Sequence, residues 1–241
     1  MVSTRNHPRQ FPPPNLSASP TSSPSKSNAL TTSSKARKSG VWAHQPPFLA
    51  VLWLLVSVPI VIWDTGYMLG RPYTMPGGAW HAPIWSPYTL YATVDYIYGF
   101  PAWEEHNGFS GAQSSMNVVE TLGYIVYLVY LFRLTESAGR SRKGAVGVLE
   151  RLQTLRVGGR AGGGLVLLAL CTSVMTLSKS VLYWLNEYFS GYRNVGHNDT
   201  ATLFFIWAIP NGLWLIFPTY MTYVFSVEAL RAFDATSPKK D

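Results

Sequence analysis

Apolar residues fall into four long blocks separated by polar stretches rich in Gly, Pro and Ser. From Pro46 to Trp63 there is no charged side chain in 18 residues, and the block continues through Asp64 to Leu69. At about 1.5 Å of rise per residue, a helix of this length crosses a hydrocarbon core of about 30 Å. A second block runs from about Gln113 to Phe132 and is broken only by Glu120, and a third from about Gly163 to Leu185 contains Lys179. The fourth, from about Thr202 to Phe225, has no charge. A buried helix of a soluble protein explains one such block. Four in 241 residues predict an all-α membrane protein with four transmembrane helices in one bundle.

The polar residues inside these blocks keep a helical phase. On span two, Gln113, Asn117, Glu120 and Tyr124 fall at offsets 0, 4, 7 and 11, which is one helical face. On span three, Thr172, Thr176, Lys179, Tyr183 and Asn186 do the same, and on span four Trp207, Asn211 and Trp214 lie at offsets 0, 4 and 7. An ionisable group in hydrocarbon costs at least about 2.5 kcal/mol, so Asp64, Glu120 and Lys179 each call for a partner or a task. Stripes turned inward would enclose a pocket with two acids, one base and indole walls, suited to a cation or a developing carbocation. The alternative is that these groups only join the helices, through a Lys179 pair with Asp64 or Glu120 and amide bonds from Asn117 and Asn211.

Charge placement sets the orientation. The net charge is +7, with only 13% charged residues, and the Lys and Arg count outside the spans alternates along the chain as 6, 1, 7, 1 and 3. The positive-inside rule then puts both termini and the 133–161 loop in the cytosol, which accounts for the basicity and removes the main argument for nucleic-acid binding. Residues 1–41 are Ser/Pro-rich and read as a disordered cytosolic arm, because they hold too few apolar groups to offset the entropy of ordering. An organelle transit peptide is the less favoured reading, since the first span can itself direct insertion. The membrane domain is expected over 42–230 and a cytosolic tail over 231–241. Cys171 is the single cysteine, and His81, His106 and His197 show no regular ligand spacing, so no disulfide framework and no metal are expected. Trp42, Trp80, Trp85 and Trp103 read as interface anchors or loop core. The sequon Asn198-Asp199-Thr200 lies too near span four for an expected glycan.

Four stretches together resemble the emopamil-binding protein family, the EXPERA-domain group that includes the sterol Δ8–Δ7 isomerase. They are Trp63-Asp64-Thr65-Gly66-Tyr67, Met116-Asn117-Val118-Val119-Glu120-Thr121, Val181-Leu182-Tyr183-Trp184-Leu185-Asn186-Glu187 and Asn211-Gly212-Leu213-Trp214-Leu215-Ile216-Phe217-Pro218. The resemblance implies an endoplasmic reticulum membrane protein, acting without a cofactor on a sterol or sterol-like lipid. It implies catalytic acids at Asp64 and Glu120, with Asn211 and Trp214 facing the cationic intermediate. Asn117, Tyr124, Lys179, Tyr183 and Trp207 are the further expected ligand-binding residues, from their helical phases. Protonation of a ring alkene followed by loss of another proton would shift the double bond. Three positions depart from the isomerase: Ile60 stands where it has a His one turn before the first acid, that acid is Asp rather than Glu, and Lys179 is added. Catalysis, sterol or lipid binding without turnover, and a structural or chaperone-like role toward membrane partners therefore all remain open, as does a homodimer.

Overall fold

A computed structural model describes residues 42–139 and 147–236. The arm expected to be disordered, part of the 133–161 loop and the last residues of the tail lie outside the described residues. Four helices are long and apolar enough to cross a membrane, so the chain is a multi-pass, all-α membrane protein. The first, α1, is Phe48–Leu69. After it, the 70–108 segment carries two short helices, α2 (Tyr88–Val94) and α3 (Phe100–Glu104). The second long helix, α4, is Phe109–Gly139, followed by the short α5 (Val148–Gln153). The third, α6, is Gly159–Phe189. A single turn, α7 (Thr200–Thr202), capped by Asp199, leads through a π-helical segment, Leu203–Ala208, into α8, Ile209–Thr236.

Helices α4 and α6 extend past both ends of the blocks that predict them and α8 past the end of its block, whereas α1 lies within its own. Thus α8 runs six residues past the expected domain end at 230, through Arg231, Ala232 and Phe233, before the described chain ends at 236. The most extensive helix contacts are α6 with α8, α1 with α4 and α4 with α6. Small residues permit the last of these. A Cβ added at Gly123 on α4 would sit 3.0 Å from Thr172 Oγ1 on α6, so even a methyl group there would press on the Thr172 side chain.

A two-residue antiparallel ribbon, β1 (Ala43–His44) with β2 (Val157–Gly158), closes one end of the bundle. His44 is fully buried there, with Nδ1 3.0 Å from Glu228 Oε2 and Nε2 2.9 Å from Tyr127 OH. It ties the chain before α1 to α4 and α8. The apolar core at this end includes Val51, Leu54, Tyr127, Leu131, Leu165, Ala169, Met221 and Phe225. The opposite end is aromatic: Tyr67 and Tyr88 stack with ring centroids 3.8 Å apart, and Trp63, Trp85, Tyr91 and Tyr98 pack against that cluster. Ile62, Leu122, Phe205, Ile216, Tyr223 and Leu230 stay exposed on the outer faces, where hydrocarbon rather than water would solvate them.

Candidate functional site

Between the apolar core and the aromatic end lies a cavity of about 410 Å³. That is within the usual range for small-molecule sites, roughly 300–1,000 Å³. Asp64 from α1, Asn117, Glu120 and Tyr124 from α4, Lys179 and Tyr183 from α6, and Asn211 and Trp214 from α8 all line it. The structure therefore brings together eight of the nine residues singled out from the sequence.

Trp207 is the exception. It is buried, but one layer behind the cavity wall, packed on Tyr183 and Trp184 and donating its Nε1–H to Asp95 Oδ2 at 2.9 Å. The reason is local. Pro210 has no N–H to return to the preceding turn, and the chain absorbs this by a π segment in which Ile209 N–H reaches back five residues to Phe204 O. The extra residue in that turn rotates Trp207 off the face shared by Asn211 and Trp214, which a uniform 3.6-residue period assigns to it.

At the cavity's charged side, Lys179 Nζ lies 3.0 Å from Glu120 Oε2, and both side chains are nearly buried. Lys179 also donates to Asn117 Oδ1, and Thr176 donates to the same Glu120 oxygen at 2.9 Å. Tyr124 OH meets Thr176 at 3.1 Å, and Gln113 donates its side-chain amide to Lys179 O at 3.1 Å. The polar faces read on spans two and three thus meet each other. Three residues of the span-three face lie outside this cluster: Thr172 bonds back to Leu168 O in its own helix, Tyr183 donates to Asp95, and Asn186 donates to Glu187. Glu120 Oε1 is buried and has no hydrogen-bond partner among the described residues.

Asp64 is held differently. Its Oδ1 accepts a 2.6 Å hydrogen bond from Tyr88 OH, and no described cation lies within ion-pair distance. Burial, with the neighbouring Asp64 charge, holds the Tyr88 phenol well above its usual range, so it remains a donor. One helical turn before Asp64, Ile60 also lines the cavity. Around these groups stand Trp53, Trp63, Tyr91, Tyr98 and Trp184. Trp53 stacks on Phe217 at a 4.0 Å centroid distance and meets Trp214 edge-on at 5.2 Å.

The sequence reading misses the 70–108 segment, which covers the cavity. Tyr88, Leu90, Tyr91 and Tyr98 all reach into it from this segment, and Asn211 donates to Tyr91 OH at 3.1 Å. What fastens the segment is Asp95, fully buried, whose Oδ2 accepts from Tyr183 OH and Trp207 Nε1 and whose Oδ1 accepts from Ile97 N at 3.0 Å. Burial pushes the Asp95 carboxyl up to about 6, and the nearby Glu187 adds to that, while the three hydrogen bonds oppose it. Tyr67 OH to Tyr98 O, His197 to Thr93 O and Asn198 to Val94 O hold its two flanks. An acid within an aromatic-rich run is the one sequence signal for Asp95, and it does not separate a latch from a solvated loop residue. Trp85 is loop core, donating to Trp63 O; Trp80 stays exposed beside Tyr73; Trp103 takes the Arg71 guanidinium 5.6 Å from its ring centre.

Among the described residues, no three His, Cys, Asp or Glu side chains are grouped to hold a metal ion. Chemically, the cavity offers an apolar, aromatic volume between the long helices with one ion-paired carboxylate, one carboxylate bonded by a phenol, and an ammonium. No family model, curated protein or solved structure matches the chain.

Proposed function

We propose that this protein is an EXPERA-like, emopamil-binding-protein-like membrane protein of the endoplasmic reticulum whose cavity binds a sterol or sterol-like lipid. The observation that carries the reading is the pairing, in one cavity between spans, of an indole- and phenol-lined apolar wall with two carboxylates from α1 and α4. Rigid polycyclic lipids suit such walls, since aromatic faces pack on them over large areas without losing side-chain rotamers. The amide of Asn211, oriented by Tyr91, and the Trp214 indole face the same volume.

Two readings of that function differ in whether the double bond moves. Binding without turnover is favoured by the Lys179–Glu120 pair, which holds one of the two acids in an ion pair, and by Ile60. Δ8–Δ7 isomerisation is favoured by Asp64, which the Tyr88 phenol keeps within hydrogen-bond reach of a proton. Purified protein incubated with a Δ8 sterol in deuterated water separates them. Turnover would yield a Δ7 product carrying solvent deuterium, abolished in Glu120→Gln. Binding without conversion would establish the binder reading, and binding of no sterol at all would leave the structural or chaperone-like role.

The charge alternation supports cytosolic N- and C-termini. In sealed microsomes, protease added outside is expected to remove the N-terminal arm and spare the 70–108 segment. Cleavage of 70–108 with the arm protected would invert the orientation.

A further inference from the structure

Hydrogen-bond capacity at the charged side of the cavity is incomplete in a specific way. An ammonium has three N–H donors, and Lys179 uses two, on Asn117 Oδ1 and Glu120 Oε2. A carboxylate has two acceptor oxygens, and in Glu120 one of them, Oε1, is buried without a partner among the described residues. These two unused functions lie side by side, because Nζ is 3.0 Å from the other oxygen of the same carboxylate. One is a donor and the other an acceptor. A hydroxyl group is the smallest neutral group that satisfies both, accepting from the ammonium and donating its own proton to the carboxylate. A ketone would satisfy the lysine and leave Glu120 Oε1 unpaired. A carboxylate head would meet Glu120 as a like charge, and an amine head would meet Lys179 as one.

Resting on the proposal that the cavity takes a sterol-like lipid, we infer that the ligand is an alcohol whose hydroxyl bridges Lys179 Nζ and Glu120 Oε1. Lys179 is then a built-in cation. It occupies the position an amine ligand would otherwise take beside Glu120, and selects a neutral lipid alcohol over the corresponding amine. Glu120 serves in this arrangement as an anchor for the hydroxyl, and the apolar body extends from it along the aromatic wall.

The test uses the full chain in detergent or nanodiscs and three probes that share one ring system: cholesterol, its 3-deoxy analogue and its 3-amino analogue. Because Trp53, Trp63, Trp184 and Trp214 line the cavity, quenching of tryptophan fluorescence reports occupancy. Cholesterol is expected to bind about tenfold or more tightly than the deoxy analogue, the loss of two charge-assisted hydrogen bonds, and more tightly than the amine. In Lys179→Met the order of alcohol and amine is expected to reverse, since the ligand ammonium then pairs with Glu120. Equal binding of cholesterol and its deoxy analogue, or tightest binding of the amine by the unaltered protein, would overturn the inference while leaving sterol binding intact. Failure of all three to bind would remove the sterol-binding proposal and the inference together. The comparison among probes on the unaltered protein does not depend on whether the variant folds.

Discussion

Lys179→Met is expected to destabilise the bundle by about 3–5 kcal/mol, the usual consequence of stripping one partner from a buried ion pair. The Glu120 carboxylate would keep Thr176 as a donor but lose its counter-charge, 3.0 Å away, in a place where both side chains are nearly excluded from solvent. Asn117 would lose its donor as well. The double variant Glu120→Gln, Lys179→Met is expected to recover most of the loss, because no unpaired charge remains and the pair's net contribution over a neutral replacement is small. Thermal unfolding in detergent, followed for the two single variants and the double, gives the coupling energy directly. Equal stability of Lys179→Met and the unaltered protein would mean that the pair is solvated, and the closed polar cluster between α4 and α6 would be wrong.

This pair shows why much of the site can be read from sequence. Glu120 and Lys179 are conspicuous because charge is rare in apolar blocks, and helical phase then places Asn117, Tyr124, Thr176 and Tyr183 beside them. Burial cost and a 3.6-residue period are both local properties, legible one span at a time. Trp207 fails on the same logic, since its phase depends on whether a proline-relieving π turn precedes α8, and the period offers no warning of that. The 70–108 segment fails for a different reason. Tyr88 of α2 is buried against Tyr67 on α1, and Val94 and Ile97 pack with Tyr183 and Trp207, so the segment's structure is set by contacts across the chain rather than by any pattern within it. Five of its residues line the cavity. A reading confined to the spans therefore finds the charged side of the site and misses its cover.

That cover also divides the site's labour. The α4–α6 cluster fixes charge deep between the spans, whereas Tyr88 and Tyr91 deliver the hydroxyl groups that orient Asp64 and Asn211. Loosening the segment should therefore impair the Asp64 side and leave the Lys179–Glu120 pair in place. Asp95 is where this can be tested, since it fastens α2 to α6 and to the π segment through Tyr183 and Trp207.

Asp95→Ala is expected to cost about 2–5 kcal/mol, because it orphans two or three buried donors at about 1–3 kcal/mol for a group left unpaired. The pH response carries the sharper signature. The carboxyl titrates at about 6 in the folded protein against 3.8 for the free side chain. Between those values the folded state holds a proton that the unfolded state has released, so stability rises as pH falls through 6 and levels off below 3.8. At about 1.4 kcal/mol per pH unit, acidifying from pH 6 to 5 should stabilise the protein by up to about 1.4 kcal/mol through this residue alone. Glu187 lies on the same side and pushes in the same direction, while Tyr183 and Trp207 donate in either protonation state. Asp95→Asn retains an acceptor oxygen for those donors but cannot titrate. The difference between the two unfolding midpoints should therefore be constant near neutral pH and change as pH falls through 6, the unaltered protein gaining relative to the variant. Parallel pH profiles would mean that Asp95 is solvated or fully ionised in the fold, and the latch would have to be sought in the flanking bonds of His197 and Asn198 instead.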